Sequence, residues 1–258
     1  MQQSLRSYFT KPGQRQALEA YGEFAKGTAW SVPLKMDLYD LSSAAFTAED
    51  SIAAFEAFTC IYKSLTGYWQ VFRPHGADKC WTPRQIFDAM RREFAPFAGK
   101  TGSALPGFLA CGRHAELSTA LTAMASMKPN GGYPHMAVSK FVHFYNPSLF
   151  PIYDTMAIWN MVFTTFRADF RSFCADAGLN RRADDAGFLI NYMCWGSSLL
   201  TGADADFMNG FVDWLHDELP RKQFEKIGRD RLSHLYATAF EFTAIGAAAR
   251  ESMMKNVP

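Results

Sequence analysis

Apolar residues recur at helical spacing along nearly the whole chain, and alternating strand-like runs are nearly absent. Residues 47–50 have the composition of a capped helix start, and apolar positions then recur through residues 52–65. Thr82 and Pro83 give a second start signal, because proline is favoured at the first helical position. Residues 31–34 are apolar but too short to build a sheet. The pattern therefore predicts an all-α fold.

Further helices are predicted in the second half of the chain, and turn residues separate them. The segment Pro129-Asn-Gly-Gly132 ends one helix, since asparagine and glycine accept positive φ, and Asn146-Pro147 ends the next. The helices are expected at residues 113–127, 134–145, 154–166, 182–200, 205–219 and 230–254. With no internal repeat or low-complexity linker, we expect residues 1–258 to form a single all-α domain of about ten helices.

Composition and charge narrow the function classes. Hydrophobic residues make up 48% and charged residues 20% of the 258 positions, which is typical of a globular protein. Aromatic residues reach 15%, so we expect an aromatic-rich core. A net charge of +1 argues against strong, unaided nucleic-acid binding.

Cysteine usage and hydropathy suggest a compartment. The five cysteines form no CxxC pair, which is typical of reduced thiols in a cytosolic protein. The N-terminus lacks an apolar signal core, and no run of 18 apolar residues exists. We therefore expect a cytoplasmic protein without a membrane span, and the sequence does not indicate its oligomeric state.

Ionisable and apolar residues are most closely interleaved in residues 139–154, which read SKFVHFYNPSLFPIYD. Val138, Phe141, Val142 and Tyr145 define one apolar stripe of the predicted helix, and Lys140 and His143 share the opposite face. After the break at Asn146-Pro147, a short extended segment leads to Asp154, whose carboxylate can meet the free N–H groups of the next helix.

Each of these polar residues has a structural interpretation beside a functional one. An aspartate at a helix start is typically a cap, a helical lysine is usually solvated, and a histidine among aromatics is often buried with both nitrogens satisfied. In the functional interpretation, Asp154 faces a cleft and a neighbouring lysine acts as a nucleophile if burial lowers its pKa. A capping aspartate can also face a cleft.

The order helix, Pro-Asn-Gly-Gly turn, helix and Phe150-Pro-Ile-Tyr-Asp154 resembles the helix-hairpin-helix DNA glycosylase superfamily over residues 113–165. In that family an apolar-Pro-apolar segment ends in the catalytic aspartate, and Asp154 matches this position. The resemblance implies an all-α fold with two lobes around a base-binding cleft. The family hairpin usually reads Leu-Pro-Gly-hydrophobic-Gly, and its bifunctional members place a lysine directly after those glycines. Lys140 lies further along, so the resemblance assigns it no role.

The resulting functional hypothesis is a glycosylase-like protein that binds DNA or a nucleobase and hydrolyses an N-glycosidic bond. Asp154 is the expected catalytic residue, with Lys140 and His143 as further catalytic candidates. A target base would leave the duplex stack and enter an aromatic pocket. The candidate substrate-binding residues are Tyr133, Phe144, Tyr153 and Ser139, and the candidate phosphate-binding residues are Gly131 and Gly132. Two alternatives stay open: a non-enzymatic helical partner-binding protein, and an enzyme acting on a small metabolite in the same cleft.

The other motifs in the sequence provide weaker evidence of function. The six histidines show no HxH or HxxxH spacing, so no metal site is expected. The chain has no GxGxxG, P-loop or GxSxG motif, and we expect no cofactor. Cys111 and His114 are close in sequence, but sequence neighbours rarely form a catalytic pair, and we expect a structural role for both.

Overall fold

A computed structural model describes residues 3–25, 31–47, 51–67, 80–97, 104–128, 133–183, 185–227 and 234–255. The α-helices among these residues are α1 (Lys11–Phe24), α2 (Ser31–Thr47), α3 (Ser51–Gly67), α4 (Pro83–Glu93), α5 (His114–Ala123), α6 (His135–Tyr145), α7 (Arg167–Asp176), α8 (Ala186–Thr201), α9 (Phe207–Glu218), α10 (Arg221–Phe224) and α11 (Tyr236–Lys255). A π-helix spans Thr155–Phe163, and no residue of the described ranges forms a strand. The all-α prediction is confirmed for this part of the chain.

The helix start predicted at Thr82 and Pro83 is present, and a capping box closes it. At α4 the Thr82 hydroxyl accepts from the Gln85 backbone N–H at 3.3 Å, and the Gln85 side chain accepts from the Thr82 N–H at 2.8 Å. Two otherwise unpaired backbone donors are thereby satisfied, with Pro83 at the first helical position. The capped start expected at residues 47–50 cannot be compared, since residues 48–50 lie outside the described ranges.

Two N-terminal helices show no clear signal in the sequence. Helix α1 contains Pro12 and Gly13 in its first turn, and α2 contains Pro33 near its start. Proline is tolerated there because the first N–H groups of a helix have no intrahelical partner. Residues 31–34 therefore open a helix.

Helix α11 lies at the centre of the core, and it is buried on nearly every side from Ala237 to Ala249. It packs closely on α1, where a Cβ at Gly246 would clash with the carbonyl oxygen of Ala17. The π-helix also packs on α11. An aromatic cluster lies where the π-helix, α7 and α8 meet, which agrees with the expected aromatic-rich core. Its rings are those of Phe163, Phe170, Phe188, Tyr192 and Trp195.

The segment that resembles the glycosylase motif forms the predicted sequence of elements. Helix α5 is followed by a short 3₁₀ turn at Ala125–Met127, and α6 by an extended stretch that reaches Asp154. The turn at residues 129–132, including Gly131 and Gly132, lies outside the described residues. Within the described part of the chain, no helix is long and apolar enough to cross a membrane.

Candidate active site

Four elements bring polar side chains together inside the helical core. Helix α2 contributes Lys35, α6 contributes Lys140 and α11 contributes Glu241, and all three residues are buried. The extended stretch after α6 ends at Asp154, beside them. Charged side chains are rarely buried unless they are paired, so this cluster needs a specific explanation.

The extended stretch is held in place by side chains from α6 and α11. The backbone N–H of Tyr153 donates to the Ser139 hydroxyl oxygen at 3.0 Å, and that hydroxyl lies 3.2 Å from the Tyr153 carbonyl. The N–H of Ile152 donates to Glu241 of α11 at 2.5 Å. These bonds replace the helical ladder that ends at Asn146 and fix the position from which Asp154 projects.

Asp154 caps the π-helix, as the sequence predicts. Its Oδ1 accepts from the N–H groups of Met156 at 2.8 Å and Ala157 at 3.0 Å. Its other oxygen, Oδ2, lies 3.7 Å from the Lys140 ammonium, and the side chain remains 34% exposed. The Asp154 carboxylate thus caps the helix, contacts Lys140 and remains partly accessible to solvent.

Lys140 is the side chain whose environment differs most from a typical helical lysine. Its side chain is only 5% exposed, so the interpretation as a solvated lysine is wrong. Burial lowers the pKa of Lys140, and the neighbouring Asp154 carboxylate opposes that shift. A larger share of uncharged amine at neutral pH is what a nucleophilic lysine needs.

His143 is fully buried, and both of its ring nitrogens have partners. Nδ1 faces the carbonyl of Phe150, which can only accept, so Nδ1 carries the proton. Nε2 then accepts from the Tyr39 hydroxyl at 2.8 Å. Burial lowers the pKa of His143 well below its usual value, and the charge of Lys35 adds to that shift. His143 is therefore not part of the proposed chemistry, because both ring nitrogens are already hydrogen-bonded within the core.

The buried pair formed by Lys35 and Glu241 was not predicted from the sequence. The ammonium of Lys35 lies 3.5 Å from Glu241 Oε2 and 3.2 Å from the Thr238 hydroxyl. Burial raises the pKa of Glu241, and Lys35 and the N–H of Ile152 oppose that shift. A lone glutamate in the apolar run of α11 was the available signal, but its partner lies about two hundred positions away in the sequence.

The predicted substrate-binding residues that the structure describes are mostly buried or bonded within the protein. Phe144 is fully buried, so its expected place in the wall of an open pocket is wrong. Tyr153 is 8% exposed, and the Tyr133 hydroxyl donates to the Leu121 carbonyl at 2.6 Å. Ser139 is buried and positions the stretch before Asp154, as described above. The void beside Ser139 measures about 10 Å³, far too small for a base.

Other candidate chemistry is weaker. His114 Nε2 lies 3.6 Å from Cys194 Sγ, and Cys111 donates to the Phe108 carbonyl. Burial raises the pKa of Cys194 to about 12, so its thiol stays protonated and is a poor nucleophile. No group of three or more potential metal ligands occurs among the described residues.

Two larger cavities open on the surface, away from the buried charges. One of about 550 Å³ is lined in part by Asp169, which accepts from the hydroxyl of Ser4 and the N–H of Leu5. The other, of about 380 Å³, lies between the π-helix, α7 and α8. Comparisons of the chain with protein families, curated protein sequences and solved structures gave no match.

Proposed function

We propose that the chain is a protein of helix-hairpin-helix glycosylase-like, two-lobed architecture that binds DNA or a nucleobase and breaks an N-glycosidic bond. The observation that carries the proposal is the contact between a buried lysine and a partly exposed carboxylate. Lys140 Nζ and Asp154 Oδ2 are 3.7 Å apart, and Asp154 is the member that meets solvent. The order of α5, α6, extended stretch and capped helix supports the same architecture.

Asp154 is suited to stabilise positive charge. Its Oδ1 is committed to two backbone donors, which fixes the carboxylate and leaves Oδ2 to face Lys140 or a substrate. As the bond between C1′ and the base breaks, the sugar develops oxocarbenium-like charge. A preorganised carboxylate lowers the energy of that state because it needs no reorganisation during the reaction.

Lys140 is suited to attack the same carbon. In its uncharged form the amine adds to C1′ while the base departs, and the proton released from nitrogen goes to the leaving base. The resulting amine adduct opens to an imine, which water hydrolyses. Desolvation favours the uncharged amine, and the amine lies 3.7 Å from the carboxylate that would stabilise the sugar.

Base release tests the proposal. Duplexes carrying damaged or modified bases are incubated with the wild-type protein, Asp154→Asn and Asp185→Asn, and strand scission after alkaline treatment is measured. Asp185 is a matched control because it also caps a helix, accepting from the Gly187 N–H at 2.8 Å, and forms no ion pair with a described residue. We expect scission with the wild type and Asp185→Asn, and a reduction of about 100-fold with Asp154→Asn.

The capping contacts of Asp154 also support a second candidate, a non-enzymatic helical protein that binds a partner. In that case Asp154 contributes only to stability. Asp154→Ala would then cost about 1 kcal/mol of unfolding free energy, and no duplex would be cleaved or bound at low salt. That combined result would remove the glycosylase proposal.

A further inference from the structure

The cavity between the π-helix, α7 and α8 has the size and form of a small-molecule site. Its volume of about 380 Å³ lies within the range of ligand pockets. Phe163, Phe170 and Phe188 form an apolar floor, and each is almost fully buried. Neither Lys140 nor Asp154 lines it, so it is a separate site from the catalytic pair.

Three arginines line this cavity. Arg167 and Arg171 lie four residues apart on α7, and Arg181 follows the helix. None of the three has a carboxylate within 4 Å among the residues that the structure describes, whereas exposed Arg15 on α1 is paired with Glu19 at 3.0 Å. Like charges at this helical spacing repel, and Arg167 begins α7, where the helix dipole disfavours a cation. A bound anion would relieve both costs, and arginine matches phosphate with paired hydrogen bonds.

An exposed aromatic ring also lines the cavity. Trp159 of the π-helix is 46% exposed, which is unusual for so large an apolar ring. Its ring is 5.9 Å from that of Phe188 and 5.7 Å from that of Phe163, which fixes its orientation. A fixed, half-exposed indole is a platform on which a planar base can stack.

A buried amide adds a polar contact. Asn191 of α8 is only 5% exposed and lines the cavity. Its Nδ2 donates to the Asn180 carbonyl at 2.7 Å, which orients the group. The amide oxygen has no hydrogen-bond partner within the described ranges, and it can accept from an amino group of a ligand.

We propose that this cavity binds a nucleoside phosphate, with the phosphate on the three arginines and the base stacked on Trp159. Asn191 would then contact the edge of the base. The ligand can be a free nucleotide or a nucleotide within a single-stranded nucleic acid, since both present the same base and phosphate. The site does not depend on N-glycosidic cleavage at Asp154.

Titration of the full chain tests this proposal with four kinds of probe: the four ribonucleoside monophosphates, a single-stranded oligonucleotide of about eight nucleotides, an unphosphorylated nucleoside and inorganic phosphate. Calorimetry measures each dissociation constant for the wild type, Trp159→Ala, Arg171→Gln and Arg15→Gln. We expect a nucleotide or the oligonucleotide to bind. The nucleoside alone and phosphate alone should each bind at least about 10-fold more weakly. Trp159→Ala and Arg171→Gln should each weaken binding about 10-fold, and Arg15→Gln should not change it.

The ratio between the two phosphorylated probes identifies the source of the ligand. Tighter binding of the oligonucleotide indicates nucleic acid, and equal or tighter binding of a monophosphate indicates a free nucleotide. Absence of binding by every probe, or binding unchanged in both Trp159→Ala and Arg171→Gln, would overturn the proposal. Lys140→Met should bind as the wild type does, so loss of base release and loss of this site can be told apart.

Discussion

Two lysine–carboxylate pairs lie in the same helical core, and they differ in their access to solvent. Lys35 and Glu241 are both nearly inaccessible, with side-chain exposures of 4% and 6%. Lys140 is equally buried, but its partner Asp154 is 34% exposed. Each member of the first pair also has a further partner: Lys35 donates to the Thr238 hydroxyl, and Glu241 accepts from the N–H of Ile152.

On the proposal that Lys140 and Asp154 are catalytic, this difference in solvent access distinguishes a structural pair from a chemical one. In the Lys35–Glu241 pair each charge needs the other, because removing one leaves an uncompensated charge in the core. In the Lys140–Asp154 pair the carboxylate is stabilised by solvent and by two backbone donors, so it does not require the lysine. Keeping Lys140 desolvated costs stability, and such costs are common at functional sites.

Breaking the enclosed pair should give the largest change. Glu241→Gln retains an acceptor for the Ile152 N–H but leaves Lys35 without its counter-charge. We expect the free energy of unfolding to fall by about 3 kcal/mol, measured by urea denaturation. The double variant Lys35→Met with Glu241→Gln should recover part of that loss. A loss below about 1 kcal/mol in the single variant would show that the pair is not structural.

Breaking the open pair should have little effect on stability. Lys140→Met keeps a side chain of similar length and removes the cost of burying the ammonium. We expect the unfolding free energy to stay within about 1 kcal/mol of the wild-type value, or to rise. A loss as large as that of Glu241→Gln would contradict the distinction between the two pairs.

The pH dependence of stability sharpens the comparison with a smaller effect. Burial lowers the pKa of Lys140 in the folded state, whereas the unfolded chain retains a value near the usual ~10.4. Between these two values the unfolded state binds more protons, so stability rises with pH. The wild type should therefore gain stability relative to Lys140→Met as pH increases through this window. A difference that stays constant or decreases in urea denaturation between pH 7 and 10 would contradict the lowered pKa.

Local signals in the sequence predicted most of the helices and the cap but not the charge network. Thr82-Pro83 and Asp154 act through backbone groups a few residues away, so their contacts follow from short-range rules. Helix α2 was not predicted, since residues 31–34 form only a short apolar run in the sequence; Pro33 lies in the first turn of the helix, where proline is tolerated.

Burial of the lysines could not be predicted, because it depends on packing between distant helices. Lys140 lies on what the pattern indicates as a polar face, yet every residue of α6 from Ala137 to Tyr145 is buried. Tyr39 of α2 contacts that face through His143. The partners Lys35 and Glu241 are separated by 206 positions. A single sequence carries no signal that joins such positions, although Glu241 stands out as a lone charge in an apolar run.

The most direct test of the central claim is to trap Lys140 on a substrate carbon. A duplex with an abasic site presents an aldehyde at C1′, and borohydride reduces any imine that an amine forms with it, so no knowledge of the target base is needed. We expect one covalent adduct per chain, mapped by peptide mass spectrometry to Lys140. It should be lost in Lys140→Met and retained when exposed Lys11 is changed to Met. An adduct located elsewhere, or undiminished in Lys140→Met, would contradict the account.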